Sequence, residues 1–153
     1  MAKQLNARPL EGKVSVLGGR PTVSLADRAA AVADLSITLT GGSGRGAMPM
    51  TFSVGLNVPL AGRAQLIDDA TQTVVAESRR AGNTLVWSNV PVIPPGTNRT
   101  RVFRITNLRG NASGLGASPP FIPSQIIAFV SVSAPFRVPL SSAQQNVAVI
   151  RRS

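Results

Sequence analysis

Apolar and polar residues alternate along two long stretches of this sequence, Val32–Thr40 and Met50–Leu60. A period of two places every second side chain on the same side of an extended chain, which is typical of a β-strand that is buried on one face. Pro59 has no main-chain N–H to donate, so its position near the end of the second stretch indicates a strand end or a sheet edge. The alternation therefore predicts sheets rather than helices as the main elements.

Shorter runs of the same kind recur along the rest of the chain. They are K-V-S-V-L and T-V-S-L near the start, Thr73–Glu77, Thr84–Val90, Thr100–Leu108, Ile126–Ser133 and Asn146–Ile150. The 14 Gly and 12 Pro residues are spread between the apolar runs, as turn residues are. Eight or more short strands joined by turns predict an all-β fold, an antiparallel β-sandwich of the immunoglobulin-like or jelly-roll-like kind.

A chain of 153 residues is long enough to bury the core of one domain. We predict a single sandwich domain over residues 21–153, preceded by an N-terminal arm or edge strand over residues 1–20. At most one short helix is expected, in the alanine-rich stretch Ser24–Asp34, where Ser24 is a suitable cap. The aromatic residues expected to anchor the core are Phe52, Trp87, Phe103 and Phe129.

The charge is strongly asymmetric along the chain. The sequence has 16 basic and 6 acidic residues, a net charge of +10. Residues 1–77 carry 7 basic and 6 acidic groups, whereas residues 78–153 carry 9 basic and none that is acidic. A positive field around the second half would attract anionic partners such as nucleic acid, anionic polysaccharide, lipopolysaccharide or an acidic protein.

Six arginines of the second half are the candidate contact residues. They are Arg79, Arg80, Arg99, Arg101, Arg104 and Arg109. Their guanidinium groups could bind phosphates or sulfates through paired N–H donors. The same residues also fit two other interpretations, a solvated strand face whose charges prevent edge-to-edge aggregation, or a contact between subunits.

Several chemistries lack the residues that they require. Cys, His and Tyr are absent, which excludes disulfides, thiolate metal sites and a Ser-His-Asp triad. The adjacent pair Asp68 and Asp69 would point to opposite faces of a strand, so it does not predict a catalytic or metal-binding pair. The glycine-rich loop Gly41–Gly46 lacks the Lys-Ser/Thr ending of a phosphate-binding loop. We predict no catalytic residues, no metal, no cofactor and no enzymatic activity.

No apolar run approaches the roughly 20 residues of a membrane-spanning helix, so no membrane span is expected. The first 20 residues also lack the apolar core of a signal peptide. From this feature alone, either the protein stays inside the cell or the chain represents a mature form.

The segment Asn83–Leu115 resembles a β-rich domain of secreted proteins from Acidobacteria and similar soil or thermal bacteria. A P-P-G turn is followed by R-V-F-R-I-T-N-L-R-G-N-A-S-G-L, which matches the pattern F-R-I-T-N-[LIV]-R-x-N-A of that group. The likeness extends over about residues 48–150 and includes I-I-A-F-V-S-V-S. It implies a β-rich fold and an extracellular or cell-surface location. No catalytic or binding residues carry over from it.

Three functions follow as hypotheses. The first is a non-enzymatic structural protein that assembles into a filament or surface layer, with the segment Ala2–Arg20 adding as a strand to a neighbouring copy. The alternative is a polyanion-binding module, or a coat protein around nucleic acid, that uses the arginine-rich second half. The third is a carbohydrate-binding module. It has little support from the sequence because the aromatic residues lie on predicted core faces.

Overall fold

Strands account for most of the residues that the structure describes. The structure is a computed structural model and describes residues 10–42, 46–115, 125–136 and 138–151. The strands are β1 (Glu11–Leu17), β2 (Thr22–Ser24), β3 (Ala30–Ala31), β4 (Asp34–Gly41), β5 (Met48–Leu56), β6 (Leu60–Ala61), β7 (Gln65–Asp68), β8 (Thr73–Ala76), β9 (Arg79–Ala81), β10 (Thr84–Val92), β11 (Gly96–Thr106), β12 (Arg109–Gly110), β13 (Gln125–Ser133), β14 (Leu140–Ser141) and β15 (Gln144–Arg151). One short 3-10 helix, Ala112–Leu115, follows β12.

The longer strands form two six-stranded sheets. Sheet A has the order β14-β1-β4-β11-β7-β8, and sheet B has the order β2-β15-β13-β5-β10-β9. A small sheet C joins β3, β12 and β6. Neighbouring strands are antiparallel, apart from the short parallel pairs β1–β14 and β2–β15. The predicted all-β fold is confirmed, and the strands within its sheets are mainly antiparallel, as predicted.

The core lies between the inner faces of sheets A and B. Phe52 of sheet B packs against Phe103 of sheet A, with ring centroids 5.2 Å apart. Both rings are buried, and so is Trp87, the neighbour of Phe52 across the β5–β10 pair. Burying these rings and the aliphatic side chains around them supplies the main favourable term for folding. The predicted core positions of these three aromatic residues are confirmed.

The fourth aromatic residue lies elsewhere. Ile126, Ala128 and Val130 of β13 are buried, so the residue between the last two, Phe129, lies on the outer face of sheet B. Its surface is 43% exposed. The prediction that Phe129 anchors the core is therefore wrong. The β13 sequence is apolar on both sides, and its periodicity does not show which side faces inward.

The alanine-rich stretch Ser24–Asp34 does not form a helix. A turn follows β2, in which the Asp27 N–H donates to the Ser24 carbonyl and the Asp27 carboxylate accepts from the Ala29 N–H. The next residues form β3 and pair with β12 in sheet C. The helix preference of alanine is worth less than about 1 kcal/mol per residue, so hydrogen bonding to a neighbouring strand outweighs it.

Strand β10 changes its inward face halfway along. Leu85 and Trp87 are buried, and after a register shift Val90 and Val92 are buried instead. Asn89, within the shift, has a φ of 56°, a left-handed conformation that asparagine adopts more readily than most residues. The bulge keeps four apolar side chains of one strand in the same core.

Within the segment predicted as an arm or edge strand, Glu11–Leu17 form strand β1 of sheet A. All seven residues of β1 pair with β4, and the short strand β14 pairs with Gly12 and Lys13 on the other side. Leu10 and Val14 are buried. Strand β1 is thus the second strand from the edge of sheet A. Residues 1–9 lie outside the described part of the chain.

Replacing Gly110 in sheet C by alanine is expected to destabilise the fold. A Cβ atom there would lie 2.7 Å from Val58 Cγ2 and 3.0 Å from Leu56 Cδ1, and both neighbours are buried. Overpacking of this kind costs about 1–3 kcal/mol. Urea unfolding of Gly110→Ala measures the change. The matched control is Gly19→Ala, where the added Cβ meets nothing within 4 Å. Equal stabilities of the two variants would contradict the packing described here.

Candidate functional site

The six candidate arginines do not form one surface. Arg101 lies on the inner side of β11, the same side as Phe103, and its guanidinium carbon is 5.9 Å from the centre of that ring. Its Nη2 donates to Asp68 Oδ2 over 2.8 Å. Because β7 pairs with β11, Asp68 is brought beside residues that lie more than 30 positions away in the sequence. Arg101 is therefore neutralised by a carboxylate from the first half of the chain.

Arg104 lies on the outer side of β11 and is also paired. Its Nε is 2.9 Å from Asp69 Oδ1, and its Nη2 donates to Gln72 Oε1 over 2.7 Å. The turn that carries these acceptors is held by Asp68, whose Oδ1 accepts from the Ala70 N–H over 3.0 Å. The aspartate pair thus has a structural role, since it binds two arginines and caps the β7–β8 turn.

Two other candidates donate to main-chain carbonyl groups. Arg80 Nη2 donates to the Leu60 carbonyl over 2.7 Å, and Arg109 Nη1 donates to the Ala29 carbonyl over 3.1 Å. A carbonyl group carries no net charge, so each guanidinium keeps its full positive charge while its orientation is fixed. These arginines hold sheet C and its loops to the sandwich and remain available as cations.

The two remaining candidates, Arg79 and Arg99, are exposed and lie in different sheets. Arg99 is near the start of β11 in sheet A. Arg79 begins β9 at the edge of sheet B.

Three arginines line one cavity beside β9. Arg63, Arg79 and Arg80 line a cavity of about 310 Å³, together with Gly62, Ser78 and Leu85. We call these three residues the arginine cluster. Arg109 borders it, because a Cβ atom placed on Gly62 would lie 3.9 Å from Arg109 Cδ.

Asn83 holds together the elements that carry the arginine cluster. It lies in the tight turn between β9 and β10, where Gly82 has a φ of 62°. Asn83 Oδ1 accepts from the Leu60 N–H over 2.8 Å, and its Nδ2 donates to the carbonyls of Val58 and Leu56. The loop that leads to Arg63 is therefore fixed against the hairpin that carries Arg79 and Arg80.

No carboxylate of the described residues lies within 4 Å of a nitrogen of the arginine cluster. One acid is nearby, because Glu77 and Arg63 both line a smaller adjoining cavity of about 180 Å³. Three cations against one exposed acid leave a local excess of positive charge. Such a site can bind an anionic group through several charge-assisted hydrogen bonds.

Arg63 is the member of the cluster that the sequence did not indicate. It belongs to the first half of the chain, where basic and acidic residues are nearly balanced. It reaches the cluster because β6 pairs with β12 and because Gly62 turns the chain with a φ of 72°. The sequence A-G-R-A shows a turn here but does not show which residues the turn faces.

The described residues contain no helix that is long and apolar enough to cross a membrane. They also contain no group of three or more His, Cys, Asp or Glu side chains arranged to hold a metal ion. The site that the fold defines is an arginine-lined cavity at one edge of a β-sandwich.

No protein-family model matches the sequence, and no curated protein matches it. Among solved structures, the fold is similar to a protein of the DUF4466 family from Parabacteroides merdae, with a TM-score of 0.48 and 11% identity. That match covers 94% of this chain and 45% of the other, so this chain spans less than half of the other's length. The human F-spondin reeler domain is also similar, with a TM-score of 0.38, 14% identity and coverage of 92% and 93%.

The two ion pairs of β11 are expected to differ in strength. Asp68 has a side chain that is 7% exposed, against 44% for Asp69. An ion pair shielded from water interacts more strongly, so we expect a coupling energy above about 1 kcal/mol for Asp68–Arg101 and about 0.2–1 kcal/mol for Asp69–Arg104. Double-mutant cycles with alanine, measured by urea unfolding, determine both values. Equal coupling energies would contradict the expectation that the more buried Asp68 forms the stronger ion pair.

Proposed function

We propose that this chain is a non-enzymatic binding module that holds an anionic polymer at the arginine cluster. One observation carries the proposal: Arg63, Arg79 and Arg80 line the same cavity, and no carboxylate of the described residues is within ion-pair distance of them. Guanidinium groups bind carboxylate, sulfate and phosphate through paired N–H donors, so a cavity with three of them suits a repeated anionic group.

The orientation of the site supports this function. Arg80 is held by the Leu60 carbonyl, and the loop before Arg63 is held by Asn83. A cation that is already oriented loses less conformational freedom when a ligand binds, which favours affinity. The remaining positive charge of the second half adds a long-range attraction that increases the rate of encounter with a polyanion.

Self-assembly into a filament or surface layer stays a prediction from the sequence. Its proposed joint included β1, and β1 would have to leave its seven-residue pairing with β4 to add to another copy. That cost makes strand addition by residues 11–17 unfavourable, so the polyanion function has the better support. An extracellular or cell-surface location is proposed from the resemblance to secreted bacterial proteins.

Binding to polyanions is expected to weaken as salt rises and to depend on the arginine cluster. Arg63→Gln and Arg79→Gln should each lower affinity about fivefold, the effect of roughly 1 kcal/mol, because each removes one cationic contact. Each should also reduce the slope of log K against log salt by up to about 1. Fluorescence anisotropy with labelled oligogalacturonate, dextran sulfate and a single-stranded DNA oligonucleotide measures both quantities between about 50 and 200 mM salt.

The matched control is Arg151→Gln. It removes the same charge from an exposed position on β15, which is four strands away from β9 in sheet B. Binding by Arg151→Gln should stay close to that of the unmodified protein. If none of the three polyanions binds, or if all three variants weaken binding equally, the arginine cluster is not a specific site.

A further inference from the structure

The outer face of sheet B carries Arg79, one member of the arginine cluster, and the exposed ring of Phe129. Residues directly paired in an antiparallel sheet lie on the same face. One row across β9, β10, β5 and β13 consists of Arg79, Val86, Ser53 and Ser131. The next row consists of Ala81, Thr84, Gly55 and Phe129. Both rows lie on the outer face, because the β10 residues between them and beside them, Leu85 and Trp87, are buried.

Phe129 lies beside an open depression that has both apolar and polar lining residues. A cavity of about 400 Å³ is lined by Phe129, by Gly55 directly opposite it and by the hydroxyl residues Ser53, Thr84 and Ser131, together with Leu56, Asn83 and Val130. The Ser53 and Ser131 hydroxyl groups are hydrogen-bonded to each other. The residues that line this cavity carry no charged side chain. Its volume is within the range of about 300–1,000 Å³ that is usual for small-molecule sites.

The chemistry of this depression suits a sugar ring. An aromatic face offers a flat apolar platform for the C–H face of a pyranose, and hydroxyl groups both donate and accept hydrogen bonds, as sugar hydroxyls do. Gly55 has no side chain, so the space above the sheet beside Phe129 stays open. Three strand spacings of about 4.8 Å separate β13 from β9, so the two strands are about 14 Å apart, and Arg79 is offset from Phe129 by a further two residues along β9.

We propose that the polyanion is an acidic polysaccharide that lies across the outer face of sheet B. One sugar stacks on Phe129, its hydroxyls exchange hydrogen bonds with Ser53, Thr84 and Ser131, and an acidic group further along the polymer binds Arg79 at the edge strand β9. This inference rests on the function proposed above and names the class of polymer that the site accepts.

Single-stranded nucleic acid fits the same face less well. Proteins that bind it without sequence preference stack successive bases on several aromatic side chains along a basic groove. Of the residues that the structure describes on this face, Phe129 alone is aromatic, since Phe52, Trp87 and Phe103 are buried and Phe136 follows the end of β13. The polar residues around the ring are uncharged, which suits sugar hydroxyls better than a continuous phosphate backbone.

Phe129 also covers the main chain of Gly55, its partner across the β5–β13 pair, and a test must separate this packing role from binding. Phe129→Leu keeps an apolar side chain over Gly55 and removes the ring. The matched control is Phe136→Leu, because Phe136 is exposed to a similar extent, 45% against 43%, outside the strands of sheet B. Thermal unfolding of both variants establishes whether they remain folded.

The experiment compares binding of oligogalacturonate, oligoalginate, dextran sulfate and a single-stranded DNA oligonucleotide by the two leucine variants and Arg79→Gln. We expect Phe129→Leu to lower affinity for at least one of the acidic saccharides about tenfold and to change DNA affinity less than twofold. Phe136→Leu should change neither. In a ¹⁵N–¹H titration of the unmodified protein with the same saccharide, the amide signals of Gly55, Thr84 and Ser131 should shift.

The experiment distinguishes a failure of the polysaccharide assignment from a failure of the proposed polyanion-binding function. If Arg79→Gln weakens polyanion binding but Phe129→Leu leaves every saccharide unaffected, the arginine site stands and the polysaccharide assignment is overturned. If Phe129→Leu weakens DNA binding as much as saccharide binding, the ring stacks on bases and the assignment is also overturned. If no polyanion binds the unmodified protein, the proposed function and this inference fail together.

Discussion

The burial of two apolar sheet faces against each other is the constraint on which the rest of this structure depends. Phe52 and Phe103 meet across the two sheets, and the alternating residues of each strand follow them into the core. Once one side of a strand is committed to the core, its other side must face outward. The outward side of β13 then carries Phe129, and the outward side of β9 carries Arg79. The candidate binding face therefore follows from the packing of the core rather than from any local motif.

Strand pairing also decides which charges remain free. The stretch that contains Arg101 and Arg104 is wholly basic along the chain, but the β7–β11 pair places Asp68 and Asp69 beside it. Those arginines hold a turn in place, and their charges are compensated. Positive charge without an ion pair among the described residues lies instead at arginines that include Arg63, Arg79 and Arg80, which come from two separate segments and line one cavity. A basic stretch in a β-protein thus indicates a charged surface only after its cross-strand neighbours are known.

The outer face of sheet B carries both a cationic side chain and an exposed aromatic residue, and the packing of the core does not require either. Its edge strand carries Arg79, and its middle has an exposed aromatic residue beside hydroxyl groups. Neither feature is part of the core, and most substitutions at exposed positions change stability by less than about 0.5 kcal/mol. The described part of the N-terminal segment, in contrast, is used within its own sheet, where Leu10 and Val14 are buried. For these reasons we favour a binding function on the face over assembly through a free arm.

The sequence by itself determined the strands and the class of fold. The strict alternation in β4 and β5 shows both where these strands lie and which side is buried, because only one of the two sides is apolar. It also determined which chemistries are absent, since His and Cys are missing altogether. Only the tertiary structure decided the inward side of β13, whose residues are apolar on both sides, and the change of face in β10, which depends on a bulge near Asn89. It alone decided that Arg63 joins Arg79 and Arg80 while Arg101 and Arg104 are paired with aspartates. The physical reason is that alternation is a local property of one strand. Charge compensation and the shape of a cavity depend instead on which strands become neighbours. The order of the strands is set by the packing of the whole chain.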